Sequence, residues 1–492
     1  MKRVLAVCAT IAALDCAAAA APDAGRTIAM KGTATGAPPC TSCHGAQGEG
    51  NAAAGFPRLA ALGQAYFARQ LDAFAHDQRK SPVMAPVAKA LEPAQASAVA
   101  QYFSSLPATA TPAPPRDAAT SGALLAQAGR WSESRLPACN QCHGPEGSGV
   151  GDSFPPLLGQ PAAYIKAQLV AWHDGARAPG PQALMQTVAS KLSVADMDAI
   201  SGYFGGAAPA AGVAPPPGAS PDAAQVAHKD GFTPPPESAI PDDEFGKLVR
   251  RGKAIFIDTK KNAAAFVGND LNCVNCHLDA GRLAGSAPLW GAYVAYPQFR
   301  SKTGRIDDYA DRLQGCFQFS MNGKAPPLGS DVLRALEAYS FWMATGAPVR
   351  TRMAGAGYAK VARPTGGGDH ARGARVYEER CALCHGAAGA GQRARNVQVF
   401  PPLWGSRSFN WGAGMHQLNN AAAFVAANMP LGQGGTLDAA QAWDVAYFMD
   451  AHERPQDPRF TGSVAETRRK YHDSEDSLYG LTVNGQVLGA GR

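Results

Sequence analysis

Eight cysteines stand in four pairs of one spacing, and a histidine follows each pair: Cys40, Cys43 and His44; Cys139, Cys142 and His143; Cys273, Cys276 and His277; Cys381, Cys384 and His385. Two thiols three positions apart reach the two vinyl groups of one porphyrin, and the adjacent imidazole then falls beneath its iron. C-x-x-C-H therefore suits covalent haem attachment. A zinc site, a dithiol redox pair or a disulfide would explain one isolated C-x-x-C. None of them explains four copies that each carry the same histidine.

An iron with histidine below takes, or deliberately lacks, a ligand above. Thioether sulfur favours reduced iron and raises the potential. Met84, Met185 and Met429 lie 40, 42 and 44 residues beyond their proximal histidines. A lone methionine is more often core filler, but three at matching spacing in repeated domains read as axial ligands. Met197, Met343 and Met449 fall in later helix-like runs and read as packing, and Met415 is a minor competitor in the fourth unit. The third unit differs. Its window holds Cys316, 39 residues past His277, and Met321, 44 residues past it.

Cys316 is the remainder of eleven cysteines, once Cys8 and Cys16 are assigned to a leader. A thiolate on iron stabilises the ferric state, the reverse of methionine. It is also a nucleophile, because a nearby cation or metal draws a thiol from about 8.5 towards roughly 3.5–7.5. Arg300, Lys302, Arg305, Arg312 and Lys324 surround it in sequence. Most of these read as surface charges, or as partners of haem propionates and of Asp307, Asp308 and Asp311. Arg312 and Lys324 flank Cys316 closely and read as anion-binding groups.

The elements that must position these groups repeat with them. A glycine-rich loop follows three of the histidines ("HGAQGEG", "HGPEGSG", "HGAAGAG"). A proline–leucine step comes next ("FPRLAALG", "FPPLLG", "APLWG", "FPPLWG"). Each unit closes on a helix-like aromatic run ("VAQYFSSL", "AISGYFGG", "ALEAYSFWM", "WDVAYFMDA"). Such repetition predicts a mainly α protein of four tandem class-I cytochrome c-like haem domains, arranged as two dihaem modules. The aromatic positions read as core.

With 492 residues the chain is long enough for several domains. A basic start and a short apolar run predict a signal peptide over 1–21; a lipoprotein site at Cys16 fits poorly after Asp15. Haem domains follow at 22–107 and 118–205, then a Pro/Ala-rich linker at 206–239, then haem domains at 240–350 and 351–455. The tail at 456–492 either wraps the second module or trails from it. No later run is long enough to span a bilayer. A net charge of +6, dispersed over the chain, gives no argument for nucleic acid but suits a small anionic substrate. The expectation is a soluble, exported protein, periplasmic in a bacterium.

The stretch "SAPLWGAYVAYPQFRSKTGRIDDYADRLQGCFQFSMNGKAPPL", together with "FPPLWGSRSFNWGAGM" and "AAAFVAANMPLG", resembles the dihaem thiosulfate dehydrogenases that form tetrathionate. That resemblance covers about residues 240–455. Residues 25–205 resemble the small dihaem cytochrome that accepts electrons from that enzyme, so the chain is similar to a natural fusion of the two. The resemblance implies that Cys316 is the axial cysteine of the active-site haem. It implies that Arg312 and Ser320 lie near substrate and that Met429 is the ligand of the fourth haem; Arg300 and Lys324 extend the same set. Some members place a lysine just before the methionine of "NMPLG". Here that residue is Asn428, which argues against a lysine–methionine exchange, while Met321 is left as a replacement for Cys316.

Two other functions fit the same residues. A pure electron carrier would use Cys316 only to tune potential. A transferase that moves thiosulfate onto a carrier protein would need that protein as partner. For the dehydrogenase the partners are thiosulfate, tetrathionate and a downstream acceptor: a small cytochrome, a high-potential iron-sulfur protein or a terminal oxidase.

Overall fold

The computed structural model describes residues 21–108, 120–178, 180–205 and 231–491. The leader and most of the 206–239 linker lie outside these residues. Helices dominate, and the named strands form three two-stranded antiparallel ribbons. The chain divides into two compact units, one of residues 1–116, 151–178 and 197–207, the other of 117–150, 179–196 and 208–492.

In the first unit the helices Ala21–Lys31 and Pro93–Ser105 cross closely. A Cβ at Gly25 would run into the Ala98 carbonyl, so only glycine permits the approach. Pro93 opens the second helix, and the Gln95 side chain accepts from the Glu92 N–H (2.9 Å). Phe67, Leu71, Phe74, Val99 and Phe103 form the core between these helices and Gln64–Ala75.

The second unit repeats this crossing twice. Asp243 caps the helix Glu244–Ile257 by accepting from the Gly246 N–H (2.8 Å). Its buried Val249, Gly252, Ile255 and Phe256 recur every three or four residues and pack on Asp331–Met343, with Gly252 against the Ala335 carbonyl. His370–Arg380 crosses Ala439–Asp450 in the same way, with Gly373 against the Asp444 carbonyl. The closing aromatic runs supply core: Tyr339, Trp342 and Trp443 are buried, as are Met343 and Met449.

Between the helices of the third haem region runs a hairpin, Gln298–Arg300 with Arg305–Asp307, followed by the helix Tyr309–Gly315. Residues Cys316–Ser320 continue that helix as a wider π-type turn. The C-terminal segment wraps rather than trails. Its Leu478, Tyr479, Val483 and Leu488 join Trp411 and Trp443 in one buried cluster.

The second haem motif, on the short helix Cys139–His143, belongs to this unit too. Its surroundings are bonded to those of the fourth. Arg135 Nη1 donates to Ala427 O (3.1 Å), Lys191 Nζ to Gly432 O (2.8 Å) and Gln182 Nε2 to Glu379 O (2.9 Å). Gln433 Nε2 donates in turn to Gln182 O (2.9 Å) and Thr187 Oγ1 (3.0 Å).

Candidate functional site

Three of the four motif histidines are oriented by one device. His44 Nδ1 bonds Pro57 O (2.8 Å), His277 Nδ1 bonds Ala287 O (2.7 Å) and His385 Nδ1 bonds Pro401 O (2.9 Å). Each acceptor belongs to the proline–leucine step, which explains why that step repeats. A carbonyl on Nδ1 fixes the tautomer with its proton there and leaves Nε2 as the donor atom for a metal. Burial, opposed by the Ala287 carbonyl, holds His277 neutral with its pKa down to about 4. The glycine-rich loops close back on the same residues: the N–H of Gly50, Gly149 and Gly391 donates to the carbonyl of His44, His143 and His385 at 2.7, 2.7 and 2.8 Å.

These residues fit a c-type haem. None of the nine described cysteines is in a disulfide. Cys40, Cys43, His44 and Met84 line one cavity of ≈ 560 Å³, whose remaining wall is largely apolar. Met429 packs on the same cluster as Cys381, and Met321 on the same cluster as Cys273. Met185 lies on the helix Leu184–Ala189.

The third site is built differently. Arg312, one turn before Cys316, points its Nη1 at Cys316 Sγ (2.9 Å). Charge on Cys316 is the largest influence holding the guanidinium protonated. Cys316 also acts on the Cys273 and Cys276 thiols, and Arg312 acts on His277. The axial candidate, its arginine and the attachment motif therefore share one neighbourhood.

The turn that carries Cys316 is clamped from outside. Asn410 Nδ2 donates to Gln318 O (2.9 Å) and to Asn322 Oδ1 (3.0 Å). Asn269 Nδ2 donates to Ser320 O (2.8 Å) and Ser408 O (3.1 Å), and Gly268 N–H to Met321 O (2.9 Å). Asn410 and Ser408 belong to "SFNWGAGM", so this stretch of the fourth haem region shapes the third site. Phe317, Phe319 and Met321 point into the core, while Cys316 and Ser320 remain half-buried.

Cations gather on this turn. Lys302 Nζ sits 3.6 Å from the Phe319 ring centroid and donates to Gly412 O. Arg459, from the C-terminal segment, stacks over the same ring (5.0 Å). Asp457 holds Arg459 at 2.6 Å and accepts from His472 Nε2 at 2.9 Å. Burial, then Arg459, Arg312 and Arg300, push Lys302 down to about 7. Tyr296, Tyr309 and Tyr358 stand nearby: burial raises each phenol and Arg312 opposes it.

The structure separates the remaining sequence candidates. Arg300 lies 3.6 Å from the buried Asp307, which also takes Arg305 (3.1 Å). Lys324 is exposed, whereas Arg312 contacts Cys316 Sγ and acts, with Arg300, on Tyr296 and Lys302. Asn428 is buried and donates to Phe424 O (3.1 Å). Sequence reasoning missed Arg459 and Asn410, which lie far along the chain and carry no motif. The "FNWGAG" stretch was the only signal for the second.

Residues 24–107 match the cytochrome c family, and residues 368–449 match the family of cytochrome c oxidase, cbb3-type, subunit III. Over 258 residues the chain is 60% identical to a thiosulfate dehydrogenase of Thiomonas intermedia (strain K12), spanning 52% of this chain and 82% of that one. Over 206 residues it is 47% identical to the thiosulfate dehydrogenase electron acceptor of the same organism, spanning 42% of this chain and 90% of that one. Among solved structures it is similar to thiosulfate dehydrogenase (TsdBA) from Marichromatium purpuratum in its as-isolated form. The TM-score is 0.86 at 46% identity, over 95% of this chain and 99% of the other.

Proposed function

The chain belongs to the thiosulfate dehydrogenase family, with dehydrogenase and electron-acceptor cytochrome in one polypeptide, and on that premise we propose that it joins two thiosulfate ions into tetrathionate at Cys316. The observation that carries this reading is the 2.9 Å contact between Arg312 Nη1 and Cys316 Sγ, in a turn ringed by cations.

Two thiosulfates are both dianions and repel each other, so their union needs positive charge and an activated sulfur. Arg312 places its guanidinium against the Cys316 sulfur, which reacts as its thiolate. The Cys316 sulfur bonds the terminal sulfur of the first thiosulfate, two electrons leave, and a cysteinyl thiosulfonate remains with one negative charge. The second thiosulfate attacks that terminal sulfur, forming the new S–S bond of tetrathionate and releasing Cys316 again as thiolate. No proton enters or leaves. Ser320 and Lys302 hold sulfonate oxygens, and Arg459 adds charge behind Phe319.

Covalently bound c-type haems, which the four cysteine pairs together with His44, His143, His277 and His385 and with Met84, Met185, Cys316 and Met429 would hold, would supply one-electron couples for the two electrons released. Met321, five residues past Cys316, is available as a replacement ligand. We place the protein in the periplasm, passing electrons to a small cytochrome, a high-potential iron-sulfur protein or a terminal oxidase; among the described residues no helix is long and apolar enough to cross a membrane.

The test mixes the pure holoprotein with thiosulfate while haem absorbance and tetrathionate are followed. Reduction with tetrathionate formation supports the dehydrogenase. Reduction only when a carrier protein is added would instead indicate a transferase, and silence under all conditions a carrier.

A further inference from the structure

One sequence pattern stands outside this chemistry. Tyr66, Gln70, Phe74 and Arg79 recur as Tyr164, Gln168, Trp172 and Arg177, each 98 residues after its counterpart. Both sets lie in the first unit. On the helices Gln64–Ala75 and Ala162–His173 the Tyr, Gln and aromatic positions are four apart and share a face; each arginine follows in the turn beyond.

The two copies interlock. Arg79 Nη1 donates to Gln70 Oε1 (2.9 Å), and its Nη2 to Gln168 Oε1 (2.6 Å) and Tyr164 Oη (2.8 Å). Arg177 Nη1 donates to Gln168 Oε1 (2.9 Å) and its Nη2 to Gln70 Oε1 (2.5 Å). Two glutamine carbonyls thus bridge two guanidinium groups in a closed ring. Each arginine also lies over its own aromatic, Arg79 over Phe74 at 4.5 Å and Arg177 over Trp172 at 3.8 Å.

This ring is out of balance electrically. Arg79 is 7% and Arg177 6% exposed. Every partner named above is neutral, and among the described residues neither guanidinium forms an ion pair with a carboxylate. Burying one cation is costly, and burying two side by side is worse unless an anion joins them. The repulsion registers on Arg177, which burial first and Arg79 second push down. Arginine forks are matched to carboxylates, and both arginines line the cavity that holds Cys40, Cys43, His44 and Met84.

We propose that Arg79 and Arg177 form a carboxylate site for the first haem, holding the propionate edge of the group attached at Cys40 and Cys43. Arg177, contributed by the second repeat, then completes the cofactor pocket of the first and sets its potential. The proposal rests on haem attachment at Cys40 and Cys43 and not on thiosulfate chemistry.

The test uses full-length holoprotein with haem content measured first, then a potentiometric titration of all couples. With four haems retained, Arg79→Gln and Arg177→Gln each lower one and the same couple, because an unneutralised carboxylate favours ferric iron. The expected size is about tenfold in the ferric/ferrous ratio, or 59 mV for a one-electron couple. Arg177→Lys restores part of the loss. Potentials that stay unchanged in both glutamine variants overturn the proposal. A free oxyanion is the other source of negative charge, and sulfate added at constant ionic strength separates the two. Wild-type potentials indifferent to sulfate support propionates; a sulfate response that Arg177→Gln abolishes overturns them. Should a glutamine variant lose haem, peptide mass spectrometry decides. Loss at Cys40 and Cys43 agrees with the proposal, and loss confined to another motif overturns it.

Discussion

Arg312 Nη1 stands 2.9 Å from Cys316 Sγ, one helical turn earlier on the same segment. The contact is intrinsic to the helix Tyr309–Gly315 and its continuation through Cys316–Ser320, so the sulfur meets the guanidinium as soon as this helix forms. Arg305 and Arg300 are partly neutralised by Asp307, whereas the partner of Arg312 here is the sulfur itself.

Removing the sulfur tests its role directly. Cys316→Gly should keep all four haems, read by pyridine haemochrome absorbance, while thiosulfate turnover falls at least about 10³-fold. A variant with four haems and undiminished turnover would remove Cys316 from the chemistry.

Arg312→Gln deletes a charge-assisted contact worth roughly 1.5–3 kcal/mol. The expected loss in kcat/KM is about 10–100-fold, with Arg312→Lys between the two because a point charge replaces the fork. Steady-state kinetics on both variants, with thiosulfate varied, reads this.

Asn410→Ala frees the Gln318 carbonyl and the Asn322 side chain from outside support. Stability should drop by about 1–3 kcal/mol, and kcat should fall further than that loss of folded protein accounts for, since the Cys316 turn becomes less well placed. Urea unfolding and kinetics on the same preparation separate the two effects.

Lys302 gives the site a pH dependence. Its pKa is pushed down to about 7, so the ammonium proposed to hold thiosulfate is lost as pH rises through that value. KM for thiosulfate should therefore rise between pH 6 and 8, and Lys302→Met should flatten the profile. The stability effect has the opposite sense. Between about 7 and the unfolded lysine value of about 10.4 the unfolded chain holds the extra proton, so this residue's contribution makes the fold more stable as pH rises. Urea midpoints across that range, for wild type and Lys302→Met, check the sign.

Met321→Leu is close to volume-conserving in a buried position and should cost less than about 1.5 kcal/mol. If Met321 replaces Cys316 in the reduced enzyme, the variant loses thioether ligation and one couple shifts to lower potential. Potentials identical to wild type would end that assignment.

The haem motifs were legible because covalent spacing leaves few alternatives, and the helical class followed from their repetition. The proline–leucine step was visible as a repeat, yet its purpose appears only when Pro57, Ala287 and Pro401 carbonyls are seen on histidine Nδ1. Arg312 was legible because one turn of helix fixes its distance from Cys316. Lys324 lies eight residues past Cys316, twice as far in sequence as Arg312, and beyond the π-type turn its side chain is exposed. Lys302, Arg459 and Asn410 reach the Cys316 turn from a hairpin, the C-terminal segment and the fourth haem region. No local periodicity encodes such long-range placement.

The hydrogen bonds that tie Arg135, Gln182 and Lys191 to the 379–436 stretch have a kinetic meaning. Were the acceptor a separate molecule, each electron would await a collision, at a rate set by dilution and by ionic strength. Here the donor's surroundings and the acceptor's second motif are held in one body, and the collision is replaced by a standing local concentration on the order of millimolar or higher. Electron hand-off becomes a first-order property of one chain, indifferent to how much of it the cell makes.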